Sequence, residues 1–490
     1  MLLNLSFFAI NLRKIIKTKI LMALLVFFFA FFVLYLPHIH YFGDAVDFKT
    51  FDNVPSKFYP YPLHGDEWAH LAISEYLSDT GSFPNTNPII GIPKNNPQSG
   101  FHFLLASIFE ISKINFLYFY QFLAPFFGGL TALILFSILS SKYNIFAGLY
   151  AGLFYPLIHS NVNILGPLFF VPHTFSMLLL AFFLFFYIKD IKSLYILAFI
   201  ISLIAYPLLS VILTYIMLIT MLRHNKNTLG IFFMILASLI ITFIFIYGFS
   251  LADFLNIIIN NADWTGDYAY KYLLQDMLSP IILTLSIPGF FLALKEKDYV
   301  LLSLLIPIIN ILIFQFFNFS LVIPYQRALI YLMFGLVIFA GIGLDFVNKK
   351  LLDTKKMFTV IVFIFIFISS FFVLYEVPDE RFNLIYLTDK NTIEVFQSFE
   401  AKYGKNNLVL TDPLESFTVY PLSKNNLALF PLSNLEHGNF LEAEYFFVTD
   451  CNYKSQFVDK YNIEYIITKY YFDCGFEFEK INNYFIYNVY

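Results

Sequence analysis

Apolar runs long enough to cross a membrane recur along the first three quarters of the chain. A helix needs roughly 20 apolar residues to span a hydrocarbon core about 30 Å thick. The stretch 194–222 is divided in two, because Tyr206-Pro207 interrupts it and proline breaks the hydrogen-bond ladder of a helix. The predicted spans are 20–36, 116–140, 145–160, 172–188, 194–206, 208–222, 229–249, 277–294, 299–317, 328–348 and 357–375. The pattern therefore predicts a polytopic α-helical membrane protein with about eleven spans.

The first long segment between spans, 37–115, contains two predicted helices. The first covers Asp66–Ser78, begins near Gly65 and is stopped by Gly81. A polar loop at 84–97, interrupted by prolines, follows it. The second helix, 98–113, repeats its apolar residues at helical spacing, which favours a helix lying on the membrane surface. A short span of its own is the alternative.

The segment after residue 376 has the composition of a soluble domain. Helices are predicted at Asn391–Tyr403 and Ser455–Tyr461. Strands are predicted at Asn407–Thr411, Leu427–Phe430, Glu464–Thr468, Phe476–Ile481 and Tyr484–Val489. We therefore predict two domains: a transmembrane domain, 1–375, which includes the loop 37–115, and a small α/β domain, 376–490.

Composition and charge narrow the class of protein. Of 490 residues, 59% are hydrophobic and 13% are charged, so a soluble protein of this size is excluded. A net charge of −4, with no basic patch, excludes a nucleic-acid partner. Lysine and arginine cluster in alternate loops, whereas the short loops on the other side carry only Lys271 and Arg327. The positive-inside rule then places the N-terminus in the cytoplasm and both long segments, with the C-terminus, on the extracytoplasmic face.

The chain has only two cysteines, Cys451 and Cys474, and both fall in the C-terminal domain. Outside the cytoplasm a disulfide is permitted, and we predict that the two are joined. Neither belongs to a CxxC motif, so the sequence contains no structural zinc or redox motif.

The densest cluster of ionisable residues in the membrane half runs from Leu63 to His70. Asp66 and His70 are four positions apart and share a helix face, whereas Glu67 points to another face. Acids in the first turn of a helix favour the dipole, so an ordinary solvated helix start is one interpretation. The other is a site at the membrane surface. In that site Asp66 is a general base that removes a proton from an acceptor molecule. Glu67 orients either a metal ion or that acceptor. His70 joins Asp66 in holding a divalent ion, Mg²⁺ or Mn²⁺.

Further candidate residues lie elsewhere on the predicted outer face. His102 lies on the polar side of the second loop helix, and His173 at the outer mouth of a span. Asp263 and Asp267 belong to the loop 250–276, which either lines a sugar site or is an ordinary polar loop. Arg327 precedes the tenth span, where its fork of donors matches a lipid phosphate; interfacial snorkelling is the alternative.

Residues 1–350 resemble the GT-C glycosyltransferases, a membrane superfamily that includes protein O-mannosyltransferases, aminoarabinose transferases and oligosaccharyltransferases. Gly65-Asp66-Glu67-x-x-His70 followed by Gly81-x-x-Pro84, in the first outer loop, carries the resemblance. It implies hexosyl or pentosyl transfer from a polyprenyl-phosphate donor to an acceptor hydroxyl on a protein, lipid or glycan. Relatives often have an acid where this chain has His173. A WWDYG-type motif is not found, which argues against the oligosaccharyltransferase branch.

Two other functions stay open. A transporter or flippase of lipid-linked sugars would favour charges within the spans, which are nearly absent here. A non-catalytic membrane scaffold would keep the same fold. A cavity that both Asp66 and Arg327 face would favour the enzyme.

Overall fold

The computed structural model describes residues 2–39, 41–42, 56–82, 99–160, 164–224, 274–317, 323, 325–351, 387–428 and 439–489. The predicted loop 84–97, the predicted spans 229–249 and 357–375, and Asp263 and Asp267 lie outside these residues. The chain forms two compact units. The first comprises Met1–Leu36 and Phe122–Pro378, and the second Pro37–Gln121 and Asp379–Tyr490.

Up to residue 351 the described chain is helical, apart from one pair of two-residue strands. The elements are α1 Leu2–Ile39, β1 Tyr41–Phe42, β2 Ser56–Lys57, α2 Gly65–Thr80, α3 Ser99–Ser112, α4 Phe116–Phe119, α5 Leu123–Lys142, α6 Ile145–Phe154, α7 Pro172–Ile188, α8 Lys192–Ala205, α9 Pro207–His224, α10 Leu274–Met277, α11 Pro280–Lys295, α12 Tyr299–Leu302, α13 Pro307–Phe317 and α14 Tyr325–Leu351. The predicted break is confirmed, because α8 ends just before Tyr206 and α9 begins at Pro207.

Four helical stretches in the described part are long and apolar enough to cross a membrane: Lys17–Ile39, Phe116–Lys142, Tyr299–Phe316 and Tyr325–Lys350. Six apolar helices are shorter. Helix α8 leaves Ile196, Leu197 and Ile200 about half exposed, as expected of side chains that face lipid. The protein is therefore a multi-pass membrane protein, whereas the count of about eleven spans stays a prediction.

Helices α11 and α14 cross at glycines. A Cβ at Gly289 of α11 would lie 1.8 Å from the carbonyl oxygen of Phe339, and one at Gly343 of α14 would lie 1.9 Å from that of Leu285. Only glycine fits at either position. Small residues of this kind let two helix backbones approach closely inside a membrane.

The second unit begins where α1 ends. His38 and Tyr59 exchange two hydrogen bonds, from Nδ1 of His38 to the Tyr59 carbonyl and from the Tyr59 amide to the His38 carbonyl, each 2.8 Å long. Helix α3 then packs against α2. Its buried residues, Phe101, His102, Leu105, Ala106 and Phe109, recur at helical spacing. These contacts give α2 a fixed support in its own unit.

The C-terminal part of this unit is a five-stranded mixed sheet with helices. After residue 386 the described elements are α15 Lys390–Tyr403, β3 Leu408–Thr411, α16 Val419–Ser423, β4 Asn426–Leu427, α17 Asn439–Val448, α18 Cys451–Tyr461, β5 Tyr465–Thr468, β6 Glu477–Ile481 and β7 Tyr484–Asn488. The strand order is β4-β3-β5-β7-β6, with β3 parallel to β4 and β5, and β7 antiparallel to β5 and β6. The predicted α/β composition is confirmed.

Several predicted boundaries in this region differ from the structure. Helix α18 begins at Cys451 rather than Ser455, because the side chain of Asp450 accepts a hydrogen bond from the amide of Tyr453 and starts the helix earlier. The structure also contains α17, which was not predicted. Cys451 and Cys474 form a disulfide with a Cα–Cα distance of 5.1 Å.

Candidate active site

Two reciprocal caps fix the first turn of α2. Nδ1 of His64 accepts the amide N–H of Asp66 at 3.0 Å. In return, Oε2 of Glu67 accepts the amides of Leu63 at 2.8 Å and His64 at 3.1 Å. This is a capping box with histidine in the place usually taken by serine or threonine. The positions of Asp66 and Glu67 are therefore set by bonds within a few residues of each other.

Asp66 is partly exposed on this capped turn. No described side chain forms an ion pair with its carboxylate. Asp66 lies in the first turn of the helix, where acidic side chains interact favourably with the helix dipole. Its helix is held closely, because a Cβ on neighbouring Gly65 would lie 3.2 Å from the ring of Phe417. The carboxylate is thus held on a capped turn with part of its surface exposed.

Glu67 occupies a different environment from Asp66. Its side chain is buried, with 3% of its surface exposed, and Oε2 is engaged by the two backbone amides of the cap. The structure therefore shows that Glu67 caps the start of α2, a role that was not predicted from the sequence. A role for Glu67 toward a substrate or a metal stays a prediction.

His70 and His102 face each other between α2 and α3. Nδ1 of His70 lies 2.9 Å from Nε2 of His102, and the two ring centroids are 5.0 Å apart. A hydrogen bond here needs one proton between the two nitrogens, so one imidazole donates and the other accepts. The pair fastens α3 to the same face of α2 that carries Asp66 at position i−4.

A metal site at Asp66 and His70 receives no support from the described residues. Among them, His, Cys, Asp and Glu form no group of three or more that could hold an ion. Nδ1 of His70 is also directed at His102 rather than at Asp66.

A second polar centre lies in the first unit, at His173 and Arg327. NH1 of Arg327 is 3.2 Å from Nε2 of His173. The same Nε2 also contacts the carbonyl oxygen of Leu165. One nitrogen serves either contact but not both: protonated Nε2 donates to the carbonyl, and unprotonated Nε2 accepts from the guanidinium. The residues that the sequence analysis named separately are therefore direct neighbours.

Two buried tyrosines, Tyr206 and Tyr331, lie near this pair and were not predicted as site residues. The ring of Tyr206 lies 6.4 Å from that of His173, and the hydroxyl of Tyr331 lies 2.6 Å from Oγ of Ser176. Two signals were available in the sequence: Tyr206 stands at the break before Pro207, and Tyr331 follows Arg327 by one helical turn. Polar side chains at these positions in apolar helices are typical of functional sites.

Comparisons with known proteins give matches in structure alone. No model of a protein family matches the chain, and no curated protein matches it in sequence. The oligosaccharyltransferase of Archaeoglobus fulgidus in complex with Zn and sulfate is similar, with a TM-score of 0.57, 12% identity, and coverage of 90% of this chain and 67% of that one. The Archaeoglobus fulgidus AglB structure with an inhibitory peptide and a dolichol-phosphate has a TM-score of 0.59 and 9% identity, and the match covers 91% and 69%.

A third similar structure is closer to this chain in length. ArnT from Cupriavidus metallidurans, in the apo state, has a TM-score of 0.55 and 11% identity, and the match covers 98% of both chains. At such identities these comparisons establish the fold. They confirm the predicted resemblance at the level of fold, because oligosaccharyltransferases are among the proteins that it named.

Proposed function

We propose, from the GT-C fold that this chain shares with those transferases, that it is a membrane glycosyltransferase. It moves one sugar from a polyprenyl-phosphate carrier to an acceptor hydroxyl on the extracytoplasmic face. The fold and the apolar helices support this proposal. The N-terminus is then cytoplasmic, and the domain 376–490 is extracytoplasmic. The acceptor is a protein, lipid or glycan.

The observation that carries the proposal is the position of Asp66 on a doubly capped helix start, partly exposed. In the proposed step its carboxylate takes the proton of the acceptor hydroxyl as that oxygen attacks the anomeric carbon. The bond from this carbon to the phosphate oxygen breaks, and the electron pair leaves with the polyprenyl phosphate. A direct displacement of this kind inverts the anomeric configuration.

Arg327 is proposed to bind the phosphate of the donor. Its guanidinium carries five N–H donors, and the contact with His173 engages NH1, which leaves the rest of the fork for phosphate oxygens. Charge builds on the phosphate as the glycosidic bond breaks, and a fixed cation stabilises that change. The dolichol-phosphate in the AglB structure supports a lipid phosphate as the ligand class.

The proposed donor carries a single hexosyl or pentosyl unit. The sequence contains no WWDYG-type motif, which favours transfer of one sugar over transfer of a preassembled oligosaccharide.

Deletion of the gene, followed by mass spectrometry of surface glycans and of lipid-linked sugars, tests the proposal. We expect a glycan to lose one sugar while the corresponding lipid-linked sugar accumulates. Wild-type protein should restore both, and Asp66→Asn protein present at the same level should restore neither. Full restoration by Asp66→Asn would contradict the role of Asp66 as the general base. It would favour a transporter or a scaffold.

A further inference from the structure

One flank of α2 is held by the segment from Glu415 to Lys424 of the C-terminal sheet region. The ring of Phe417 fills the space beside Gly65 at the start of α2. One turn before the end of the helix, the ring of Tyr76 lies 5.7 Å from that of Tyr420. The helix that carries Asp66 therefore rests on a second element, besides α3, along most of its length.

Lys424 makes the polar contact in this interface. Its Nζ lies 2.8 Å from Oε2 of Glu75 and 3.2 Å from Oδ2 of Asp79, both on α2. About a quarter of the Lys424 side chain is exposed, and that of Glu75 is almost fully buried. Both carboxylates lie on the second half of α2 and leave Asp66 untouched, so the ion pair acts on the helix and not on the substrate.

The backbone of Lys424 is unusual as well. It has a φ of 53° in the left-handed region, at the end of α16, where its amide donates to the carbonyl of Tyr420. Glycine or asparagine is the ordinary residue at such a helix end, because a side chain with Cβ is strained there. Lys424 therefore ends α16 in a strained conformation while its side chain contacts Glu75 and Asp79.

We propose that Lys424 is a positioning residue that seats α2, and with it Asp66, through its ion pair with Glu75 and Asp79. This inference rests on the proposed function and names a residue that supports the general base. Removing the pair releases one end of α2, and a displacement near 1 Å at a reacting group is enough to cost about a hundredfold in rate.

The electrostatics around Glu75 fit this role. Burial raises the pKa of Glu75 to about 7 even though Lys424 lowers it, and Asp79 and Glu400 raise it further. Burial also lowers the pKa of Lys424, but the charges of Glu75 and Asp79 outweigh it and leave that pKa raised. Of the rings that face the pair, Tyr420 lies under Nζ of Lys424 at 5.4 Å, and Tyr76 packs against Tyr420. Glu75→Gln therefore imitates the protonated carboxyl and leaves Asp79 as the carboxylate paired with Lys424.

The test uses full-length protein in lipid nanodiscs. We expect Lys424→Met to lower kcat by about tenfold to a hundredfold with the KM for the donor nearly unchanged. Lys424→Arg should restore most of the rate. The matched control is Lys460→Met, which breaks an ion pair with Glu442, 3.4 Å long, that does not touch α2.

Trp68 supplies a readout that does not depend on activity. It lies two positions after Asp66, is fully buried, and is one of two tryptophans in the chain, so Trp264→Phe leaves it as the sole reporter. In that background Lys424→Met should increase quenching of Trp68 by acrylamide, whereas Lys460→Met should not.

The double variant Glu75→Gln/Lys424→Met removes the unpaired buried charge, so it should regain stability while kcat stays low.

The outcomes separate cleanly. If Lys424→Met changes neither kcat nor Trp68 quenching, the proposal is overturned. If the double variant regains full kcat together with stability, Lys424 is merely structural and the proposal is again overturned. If the wild-type protein transfers no sugar but Trp68 still responds to Lys424→Met, the proposed function fails while the seating of α2 by Lys424 stands.

Discussion

The first turn of α2 and the His173–Arg327 pair are assembled in different ways. The first is local: His64, Asp66 and Glu67 bond within four residues of one another. The second joins residues 154 positions apart, which only the packing of α7 against α14 brings together. The capping bonds of the first turn form within α2 and the two residues before it, whereas the His173–Arg327 contact depends on how two helices pack.

The largest effect should come from Asp66→Asn. Asparagine keeps the shape but cannot accept a proton, and a general base contributes about 10²- to 10⁴-fold. Turnover of a polyprenyl-phosphate sugar by purified protein, followed by mass spectrometry, measures the loss. Asp66→Glu is the control, because it retains the carboxylate. A native rate for Asp66→Asn would mean that the local site is only a helix start.

Arg327→Lys should lose most activity, by about 10- to 100-fold, with weaker donor binding. Lysine supplies the charge but not the planar fork that binds two phosphate oxygens at once. The KM for the donor and kcat are both measured, with His173→Gln as a companion variant that keeps Arg327 but changes its neighbour. Full donor affinity in Arg327→Ala would show that the donor phosphate does not bind at the His173–Arg327 pair.

Glu67→Ala tests whether the capping contact or direct chemistry dominates at that residue. Loss of a cap costs about 0.5–2 kcal/mol. We expect a lower unfolding midpoint and an activity loss smaller than that of Asp66→Asn. Glu67→Gln, which keeps an accepting oxygen, should fall between wild type and alanine. A loss of activity equal to that of Asp66→Asn, with stability unchanged, would give Glu67 a catalytic role.

The smallest effect concerns Glu75 and pH. The pKa of Glu75 rises on folding from 4.5 to about 7, so its protonation stabilises the folded state. That contribution is complete below about pH 4.5 and is lost as pH rises through about 7. The unfolding midpoint of wild type, measured against Glu75→Gln, should therefore decline between pH 5 and pH 8. A gap that is constant with pH would show that Glu75 keeps an ordinary pKa.

The same contrast explains what the sequence could predict. The start of α2 near Gly65 and its end at Gly81 follow from local residue types, and both are confirmed. The contact of His173 with Arg327 was not predicted, because spacing along the chain does not say which helices pack together. The burial of Glu67 in a cap was missed for a related reason: histidine at position 64 is a rare partner in a capping box. The helix α17, whose first residues adjoin an undescribed stretch, also escaped the sequence pattern.

The disulfide has a practical consequence for mapping this protein in cells. The sequence holds two cysteines and both are consumed by the bond, so the folded chain offers no reactive thiol. Any cysteine introduced by mutagenesis becomes the sole target of a maleimide reagent, provided that the native bond stays intact. Single substitutions such as Ser107→Cys on α3 and Lys350→Cys at the end of α14 therefore report, by membrane-impermeant labelling, the side of the bilayer on which each lies.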